Sequence, residues 1–202
     1  MKLKKAFILL NGLKPKVFPN LDNYHFSCAI DGAYNHFEAN NIVPDLVTGD
    51  FDSINSVPTT VEVINTPDQN FTDFEKALQI LKERGYTSID IYGGSGKEHD
   101  HFLGNLSTAL LWKKNVRITF FDDYGTYFFI EDECVLDNVL DKTISLIPFP
   151  IAQGVKTEGL KYPLKNEPLT FGKRIGTRNK AVANNVKISI NTGELLVYIS
   201  NK

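Results

Sequence analysis

The sequence contains little cysteine, no long hydrophobic run and no large excess of charge of either sign. Its 202 residues include only two cysteines, Cys28 and Cys134, outside any Cys-x-x-Cys pattern, so we predict reduced thiols in a cytoplasmic protein. No apolar run reaches the roughly 18 to 20 residues that a transmembrane helix needs. A formal net charge of −2 does not indicate the positively charged surface that binds nucleic acid. We therefore expect partners that are small molecules, with no nucleic acid and no membrane.

The first ten residues resemble the first two regions of a signal peptide, because a basic start (1–5) precedes the apolar run 6–10. The run ends at Asn11-Gly12, however, and no cleavage site follows. We interpret residues 6–10 as the first buried strand.

Short apolar runs alternate with helical patterns from residue 6 to about residue 121. The best-marked helix begins at Thr72-Asp-Phe-Glu75, which has the form of a capping box, and Gly85 lies just beyond its end. Two further helical patterns span 33–40 and 101–113. The apolar runs are 6–10, 27–30, 46–48, 61–64, 89–92 and 116–121. This alternation predicts an α/β domain over residues 1–128, with a mostly parallel, Rossmann-like sheet flanked by helices.

From Tyr127 onward the pattern changes to short β-rich runs, with no helical spacing. Glycines and prolines separate the runs at close intervals. The runs are 133–139, 142–149, 185–190 and 194–200. This spacing predicts a small all-β sandwich or barrel over residues 129–202.

The stretch from Pro44 to Ile54 is the centre of the candidate site. Residues 46–48 predict a brief buried strand that ends at a glycine, so Asp50 and Asp52 fall at its carboxyl end, where parallel sheets bind ligands. On an extended segment two such carboxylates point to the same side and repel unless a proton or a cation lies between them. Magnesium is the predicted ion. The structural alternative is that both aspartates cap a turn and a helix.

Four successive predicted strands are followed by aspartates. In chain order these are Asp31, then Asp50 and Asp52, then Asp68 and Asp73, and finally Asp100. Any one of them has an ordinary structural explanation as an N-cap or an Asx turn. Their coincidence on one edge of a sheet destabilises the fold unless cations neutralise it, so it indicates a metal site and nucleotide chemistry.

The segment from Gly93 to Lys97 resembles a phosphate-binding loop only in part. Glu98 follows Gly96-Lys97 where a Walker sequence has serine or threonine. The backbone N–H groups of the segment can still form a nest for a phosphate. The neighbouring His99-Asp-His101, with no further histidine nearby, makes a poor zinc site.

Four motifs, in this order and spacing, resemble those of the thiamin pyrophosphokinase family. They are Asp31-Gly-Ala, Pro44-Asp-Leu-Val-Thr-Gly-Asp-Phe-Asp-Ser53, Asp68-Gln-Asn-Phe-Thr-Asp-Phe-Glu-Lys-Ala77 and Asp100-His-x-x-x-Asn105. The resemblance covers nearly the whole chain. It implies an α/β catalytic domain followed by a β-rich thiamin-binding domain, and a homodimer. The implied reaction transfers pyrophosphate from ATP to the hydroxyethyl oxygen of thiamin, giving thiamin diphosphate and AMP.

The resemblance also implies roles for individual residues. The implied ligands of Mg²⁺ are Asp31, Asp50, Asp52 and Asp73, and the implied catalytic residues are Asp52, Asp73 and Asp100. The implied ATP-binding residues are Gln69, Thr72 and Lys76, and Ser95 and Lys97 of the 93–97 loop are predicted to bind ATP as well. The implied thiamin-binding residues are Asp100, His101, Asn105 and Asn179. The Asp100 carboxylate is suited to accept or orient the proton of the attacking hydroxyl. Lys76 is placed either to pair with an acid or to contact a phosphate.

The chain departs from the family pattern at two positions. Glu98, beside Lys97, stands where an arginine commonly precedes the Asp-His pair, and Arg178 replaces the serine of a Gly-x-Ser-Asn element. Two other functions stay open: a phosphohydrolase with Asp50 or Asp52 as nucleophile, and a nucleotide- or thiamin-binding module without turnover. Thiamin-dependent release of AMP distinguishes the three.

Overall fold

The computed structural model describes residues 4–202, so residues 1–3 of the basic start lie outside the described part. The chain forms two compact units, Met1–Asp122 and Asp123–Lys202. The domain boundary at residue 128 stays a prediction. Across residues 4–202, no helix has both the length and the apolar character needed to cross a membrane.

Six parallel strands form the sheet in the described part of the first unit. They are β1 (Lys5–Leu9), β2 (Phe26–Ile30), β3 (Leu46–Gly49), β4 (Glu62–Asn65), β5 (Ser88–Tyr92) and β6 (Arg117–Phe121). Their order across the sheet is β4-β3-β2-β1-β5-β6, and each neighbouring pair is parallel. Every strand overlaps a predicted apolar run. Inner strands such as β1 and β3 are covered on both faces and need apolar side chains nearly throughout.

Within the described residues of this unit, three α-helices connect β2 to β3, β4 to β5 and β5 to β6. They are α1 (Tyr34–Ala39), α2 (Asp73–Glu83) and α3 (His99–Trp112), and short 3₁₀ turns occur at Leu21–Asn23 and Asp31–Ala33. All three helices overlap the predicted helical patterns. The differences lie at the ends: α3 begins two residues before the predicted position, and the first residue of the predicted α1 belongs to a 3₁₀ turn.

The capping box predicted for α2 is only half present. The Thr72 hydroxyl accepts a hydrogen bond from the Glu75 backbone N–H at 3.2 Å, which satisfies one free donor of the first turn. The Glu75 carboxylate instead accepts a hydrogen bond from the indole N–H of Trp112 on α3, also at 3.2 Å. Gly85 follows the helix with φ 82°, a conformation that glycine adopts without steric cost. The start of α2 is therefore fixed by its cap and by α3.

Helices cover both faces of the parallel sheet, because successive side chains of a strand point to opposite faces. Phe7 of β1 packs on Phe37 of α1, with ring centroids 6.1 Å apart. On the other face Phe120 of β6 packs on Phe74 of α2, with centroids 6.0 Å apart. All four rings are buried. Each such burial stabilises the fold by roughly 1.5–3 kcal/mol relative to an exposed ring.

One charged residue lies inside this sheet. Asp90 of β5 is only 3% exposed, and it is compensated by the Lys5 ammonium at 2.6 Å and the Tyr24 hydroxyl at 2.9 Å. Burial, and secondarily the Asp90 charge, raise the pKa of Tyr24 well above its ordinary value. Burial likewise raises the pKa of the Cys28 thiol, so this free cysteine is neutral at physiological pH, as expected of a reduced core thiol.

The order of the strands reverses at β1, which lies in the interior of the sheet. The strands β2, β3 and β4 follow one another on one side of β1, whereas β5 and β6 lie on its other side. In open parallel sheets, ligands bind at the carboxyl ends of the strands close to such a switch point. A ligand site is therefore expected at the loops that follow β1, β2, β3 and β5.

Seven antiparallel strands form the second unit. They are β7 (Gly125–Ile130), β8 (Glu133–Leu136), β9 (Thr143–Glu158), β10 (Lys165–Thr170), β11 (Gly176–Lys180), β12 (Val186–Ser189) and β13 (Thr192–Ser200). The long β9 pairs with β10, β11, β12 and β13. The core beneath it includes the fully buried residues Ile144, Val155 and Val197. The predicted all-β character of this part of the chain is observed.

Two details of this unit were predicted wrongly. The pattern gives no strand for β10 or β11, and it ends a strand at Phe149, whereas β9 continues to Glu158. The reason is that prolines and glycines predict breaks between strands, whereas Pro148, Pro150 and Gly154 all lie within β9. Gly154 has φ 67° and lies beside shifts in the pairing with β10. A glycine inside a strand often marks such a bulge.

Candidate functional site

Three of the predicted metal ligands come together at the carboxyl ends of β2 and β3. Asp31, Asp50 and Asp52 each offer a carboxylate oxygen, and these atoms lie within 4.8 Å of one another. Asp31 is 9% exposed, whereas Asp52 is exposed. Three oxygen ligands of this kind suit a hard divalent ion such as Mg²⁺, which binds through a few carboxylates and leaves positions for phosphate oxygens. Without a cation, three like charges at this spacing repel one another.

The backbone that delivers these carboxylates is not extended, contrary to the sequence-based expectation. Phe51, between Asp50 and Asp52, has φ 68°, and Asp31 has φ 48°. Such left-handed conformations are uncommon for residues with a side chain, and in folded proteins they concentrate at functional sites. Gly49 permits the close approach of the two strand ends, because a Cβ atom there would lie 3.0 Å from the Asp31 Cβ.

Hydrogen bonds from Ser53 and Gln69 fix the orientation of the three carboxylates. The Ser53 hydroxyl donates to Asp52 Oδ1 at 2.7 Å, and the Ser53 backbone N–H donates to Asp31 Oδ1 at 3.4 Å. The Gln69 amide donates to Asp50 Oδ2 at 3.4 Å. Gln69, predicted to bind ATP, thus lies beside the acidic group.

The other predicted residues of the 66–76 segment have partners of their own. Asp73 is outside the three-carboxylate group found among residues 4–202, and its Oδ1 lies 2.7 Å from the Lys76 ammonium. Asp68 accepts hydrogen bonds from the backbone N–H and side chain of Asn70, at 2.9 and 2.7 Å. This is the Asx turn of the structural alternative. Thr72 is the cap of α2.

The glycine loop after β5 lies on the other side of the site. The Lys97 ammonium donates to Asn11 Oδ1 at 3.1 Å, and the Ser95 hydroxyl donates to Asp122 at 3.4 Å. Asn105 of α3 donates to the Gly94 carbonyl at 3.0 Å, so its side chain supports the loop. The loop therefore places Ser95 and Lys97 at the carboxyl end of β5.

Asp100 and His101 occupy the first turn of α3 and are exposed. The Asp100 carboxylate accepts a hydrogen bond from the His101 backbone N–H at 2.9 Å. The His101 ring lies 3.7 Å from the carboxylate of Glu98, the residue that stands near the family's arginine position. Negative charge at a helix N-terminus is favourable, so the helix itself stabilises the Asp100 carboxylate.

Asn179, the remaining predicted thiamin-binding residue, belongs to β11 of the second unit. Its amide donates to the Tyr162 carbonyl at 2.7 Å, and its carbonyl oxygen accepts from the Tyr162 backbone N–H at 3.1 Å. The amide thus pairs with the backbone as a neighbouring strand would. Arg178, with φ 57°, is exposed, and its backbone N–H donates to the Ser145 hydroxyl at 2.9 Å.

A cleft of about 770 Å³ joins the first-unit residues described above. Its lining includes the predicted residues Asp31, Asp50, Asp52, Gln69, Thr72, Asp73, Lys76, Ser95, Lys97, Asp100, His101 and Asn105. The volume is in the range of pockets that bind small molecules. Every predicted site residue of the first unit therefore lines one cleft, although only three aspartates form the compact acidic group.

Asn11 and Gly12 also line the cleft, and the sequence analysis did not predict them as site residues. The Gly12 N–H donates to the Gly93 carbonyl at 2.8 Å. A Cβ atom on Gly12 would lie only 2.2 Å from that carbonyl oxygen. The sequence feature that could have identified them is the Asn-Gly pair directly after the first strand. This pair was used only to mark the end of an apolar run.

Two protein-family models match the chain. One, described as "Thiamin pyrophosphokinase, catalytic domain", matches residues 19–120. The other, described as "Thiamin pyrophosphokinase, vitamin B1 binding domain", matches residues 133–195. The first match contains all four aspartates that were predicted as metal ligands, and the second contains Asn179.

Individual relatives show the same similarity over most of their length. Thiamin pyrophosphokinase 1 of Caenorhabditis elegans is 30% identical over 200 residues, which cover 89% of this chain and 82% of that protein. Thiamine pyrophosphokinase of Bacillus subtilis is 29% identical over 172 residues, covering 79% of each. A crystal structure of thiamine pyrophosphokinase from Bacillus subtilis matches with a TM-score of 0.85 and 26% identity, covering 98% of this chain and 99% of that one.

Proposed function

The chain belongs to the thiamin pyrophosphokinase family, and on that basis we propose that it transfers pyrophosphate from ATP to thiamin in a Mg²⁺-dependent reaction. The oxygen of the thiamin hydroxyethyl group forms a bond to the β-phosphorus, the bond from this phosphorus to the bridging oxygen of the α-phosphate breaks, and AMP leaves. The products are thiamin diphosphate and AMP.

The observation that carries this proposal is the three-carboxylate group at the ends of β2 and β3. Phosphoryl transfer needs little covalent help from a protein and depends on positioning and on neutralisation of charge. Mg²⁺ bound by Asp31, Asp50 and Asp52 would supply that neutralisation. Asp73 lines the same cleft and stays in the proposal as a fourth acidic group, held by the Lys76 ion pair.

Residues on the other side of the cleft complete the proposed chemistry. The Lys97 ammonium and the backbone N–H groups around Ser95 bind phosphate oxygens, since cations and oriented N–H groups stabilise anions. Gln69 and Thr72 line the nucleotide side. The Asp100 carboxylate accepts the proton of the thiamin hydroxyl, and His101 and Asn105 help to orient that substrate.

The remaining expectations form part of the same proposal. The strand order β4-β3-β2-β1-β5-β6 supports a Rossmann-like description of the first unit. The second unit, with Asn179 supporting the Tyr162 segment, contributes to thiamin binding. The protein acts as a homodimer. Its two cysteines are thiols rather than a disulfide, which is consistent with the reducing conditions of a cytoplasmic location.

The first experiment measures AMP formed from ATP and Mg²⁺, with and without thiamin, by the wild-type protein, Asp52→Asn and Asp22→Asn. Asp22 is exposed in the 3₁₀ turn Leu21–Asn23 and serves as the matched control. We expect AMP only with thiamin, a loss of about 100-fold or more in Asp52→Asn, and no change in Asp22→Asn.

Two results contradict the proposal in different ways. Thiamin-independent release of inorganic phosphate would identify a phosphohydrolase. Binding of ATP or thiamin without AMP formation would identify a binding module. Glu98 and Arg178, the two departures from the family pattern, would then be the first residues to test as the cause.

A further inference from the structure

We propose that Lys76 is a positioning residue, which holds the 66–72 loop against the acidic group, and that it does not bind the nucleotide phosphates directly. The inference rests on the proposed function for the identity of the site. It concerns a contact network within the first unit, and this network can be tested without turnover.

The Lys76 ammonium is surrounded by protein oxygens. It donates to the backbone carbonyls of Thr66 at 2.5 Å and Asp68 at 2.9 Å, and it lies 2.7 Å from Asp73 Oδ1. An ammonium has three N–H donors and no acceptor. The two carbonyls use two of these donors, and the Asp73 carboxylate pairs with the charge of the ammonium. The side chain is also only 10% exposed, which leaves little surface for a phosphate.

The loop held in this way reaches Asp50 by two routes. The Thr66 backbone N–H donates to the Gly49 carbonyl at 2.9 Å, directly before Asp50 in the chain. The Gln69 amide donates to Asp50 Oδ2 at 3.4 Å. Because two backbone carbonyls of the loop converge on one ammonium, Lys76 fixes the segment from which Gln69 contacts the acidic group. Its effect on the reaction then passes through Gln69 and Asp50.

Lys97 lies in the same cleft as Lys76 but has a different hydrogen-bond partner. Its ammonium donates to Asn11 Oδ1 at 3.1 Å, a side-chain acceptor at the switch point of the sheet. A phosphate-binding role therefore fits Lys97 better than Lys76, whose acceptors are mainly backbone carbonyls of a loop.

The test compares three lysine variants. Lys76→Met removes the ammonium and keeps a long apolar side chain, and Lys97→Met does the same at the proposed phosphate side. Lys82→Met is the control on the same helix, because the Lys82 ammonium contacts Asn115 and the Trp112 ring, neither of which lines the cleft. The first readout is amide hydrogen exchange of residues 66–72 in the ligand-free protein.

In this first readout we expect exchange in Lys76→Met to accelerate by about tenfold or more, since hydrogen bonds to a charged group are lost. Exchange of the same segment should stay unchanged in Lys82→Met and Lys97→Met. Unchanged exchange in Lys76→Met would overturn the proposal.

The second readout is steady-state kinetics with ATP. A positioning role lowers kcat in Lys76→Met by about tenfold, with KM for ATP changed by less than about threefold, whereas Lys97→Met raises KM. A rise in KM of more than about tenfold in Lys76→Met, with kcat unchanged, would show a direct phosphate contact and reject the proposal.

A third measurement needs no variant and applies even if Lys76→Met does not fold. The ammonium resonance of Lys76 in ¹⁵N-lysine-labelled wild-type protein should be protected from exchange without ligand, and should shift little when inorganic pyrophosphate and Mg²⁺ are added. A Lys76 resonance that becomes protected only with pyrophosphate would refute the proposal. A wild-type protein that makes no AMP would refute the proposed function alone, because the exchange and resonance readouts do not depend on turnover.

Discussion

At the scale of single residues, the switch point of the sheet depends on two glycines. Gly12 and Gly93 bring the backbones after β1 and β5 into direct contact, with an N–H to carbonyl hydrogen bond of 2.8 Å. Gly93 has φ 68°, and a Cβ atom on it would lie 2.2 Å from the Leu10 carbonyl oxygen. A backbone atom cannot move aside as a flexible side chain can. These glycines therefore allow Asn11 and Lys97 to meet across the cleft.

Replacement of Gly12 by alanine is expected to destabilise the protein by about 1–3 kcal/mol, the usual cost of forcing an extra methyl into a packed position. Urea denaturation measures the effect. Gly104→Ala is the matched control: nothing lies within 4 Å of a Cβ there, and alanine within a helix such as α3 should add about 0.5–1 kcal/mol. A Gly12→Ala variant as stable as wild type would show that the two loops separate easily.

Sequence alone predicted the acidic group better than it predicted its neighbours. Asp31 follows an apolar run directly, and Asp50 and Asp52 follow the next run just after its terminal glycine, so their place at strand ends can be derived from local pattern. The left-handed backbone of Phe51 could not be derived from the sequence, because glycine and asparagine are the usual signals for that conformation. Gly12 was missed because its partner, Gly93, is distant in sequence and is adjacent only once β1 pairs with β5.

At the scale of elements, α2 is the helix whose ends matter most to the site. Its first turn contains Asp73 and follows the 66–72 loop, and its last turn is tied to the edge strand β4. There Arg84 donates two hydrogen bonds to the Glu62 carboxylate, at 2.6 and 2.8 Å. The Arg84 hydrogen bonds hold the pKa of Glu62 below its ordinary value of 4.5. The pair thus links the end of α2 to the strand that precedes the loop.

A double-mutant cycle with Glu62→Gln and Arg84→Met should give a coupling of about 0.5–1 kcal/mol at pH 7, the range of partly exposed ion pairs. Since the folded-state pKa of Glu62 is depressed, the stabilisation is complete above pH 4.5 and declines as the pH falls through the lowered value. Unfolding measured between pH 7 and pH 3.5 provides the check. Coupling that grows on acidification would contradict the assignment.

The elements themselves were largely predictable, with an instructive exception. Apolar runs and helical spacing predicted the six strands and three helices described in the first unit, because most of these elements bury an apolar face; the edge strand β4 is only partly buried. In the second unit, β10 and β11 read KNEPLT and GTRNK and are mostly polar, so they have no apolar signature. They form strands because they pair with β9, and this pairing cannot be predicted from their local sequence.

At the scale of the whole molecule, charge is distributed unevenly. The cleft contains six carboxylates, from Asp31, Asp50, Asp52, Asp73, Glu98 and Asp100, and two lysines, although the chain as a whole has a formal net charge of only −2. Local repulsion of this kind lowers the stability of the metal-free protein. It also opposes the entry of a polyanionic nucleotide without a cation.

Addition of Mg²⁺ should therefore raise the melting temperature. At 100 times its Kd, a bound ion stabilises the folded state by about 2.7 kcal/mol, which corresponds to roughly 5–10 °C for a chain of this size. Differential scanning calorimetry at constant ionic strength measures the shift. We expect Asp50→Asn to melt higher than wild type without metal and to lose most of the shift, whereas Asp22→Asn keeps it. An equal shift in Asp50→Asn would place the ion elsewhere.

The hydrogen bond between Trp112 and Glu75 has one more consequence. Trp112 is the only tryptophan in the chain, and its indole N–H is bonded to the first turn of α2, next to the 66–72 loop. The tryptophan fluorescence of the protein therefore comes from a single residue at the α2–α3 contact. Its emission wavelength reports, without any added label, how α2 responds when the cleft fills.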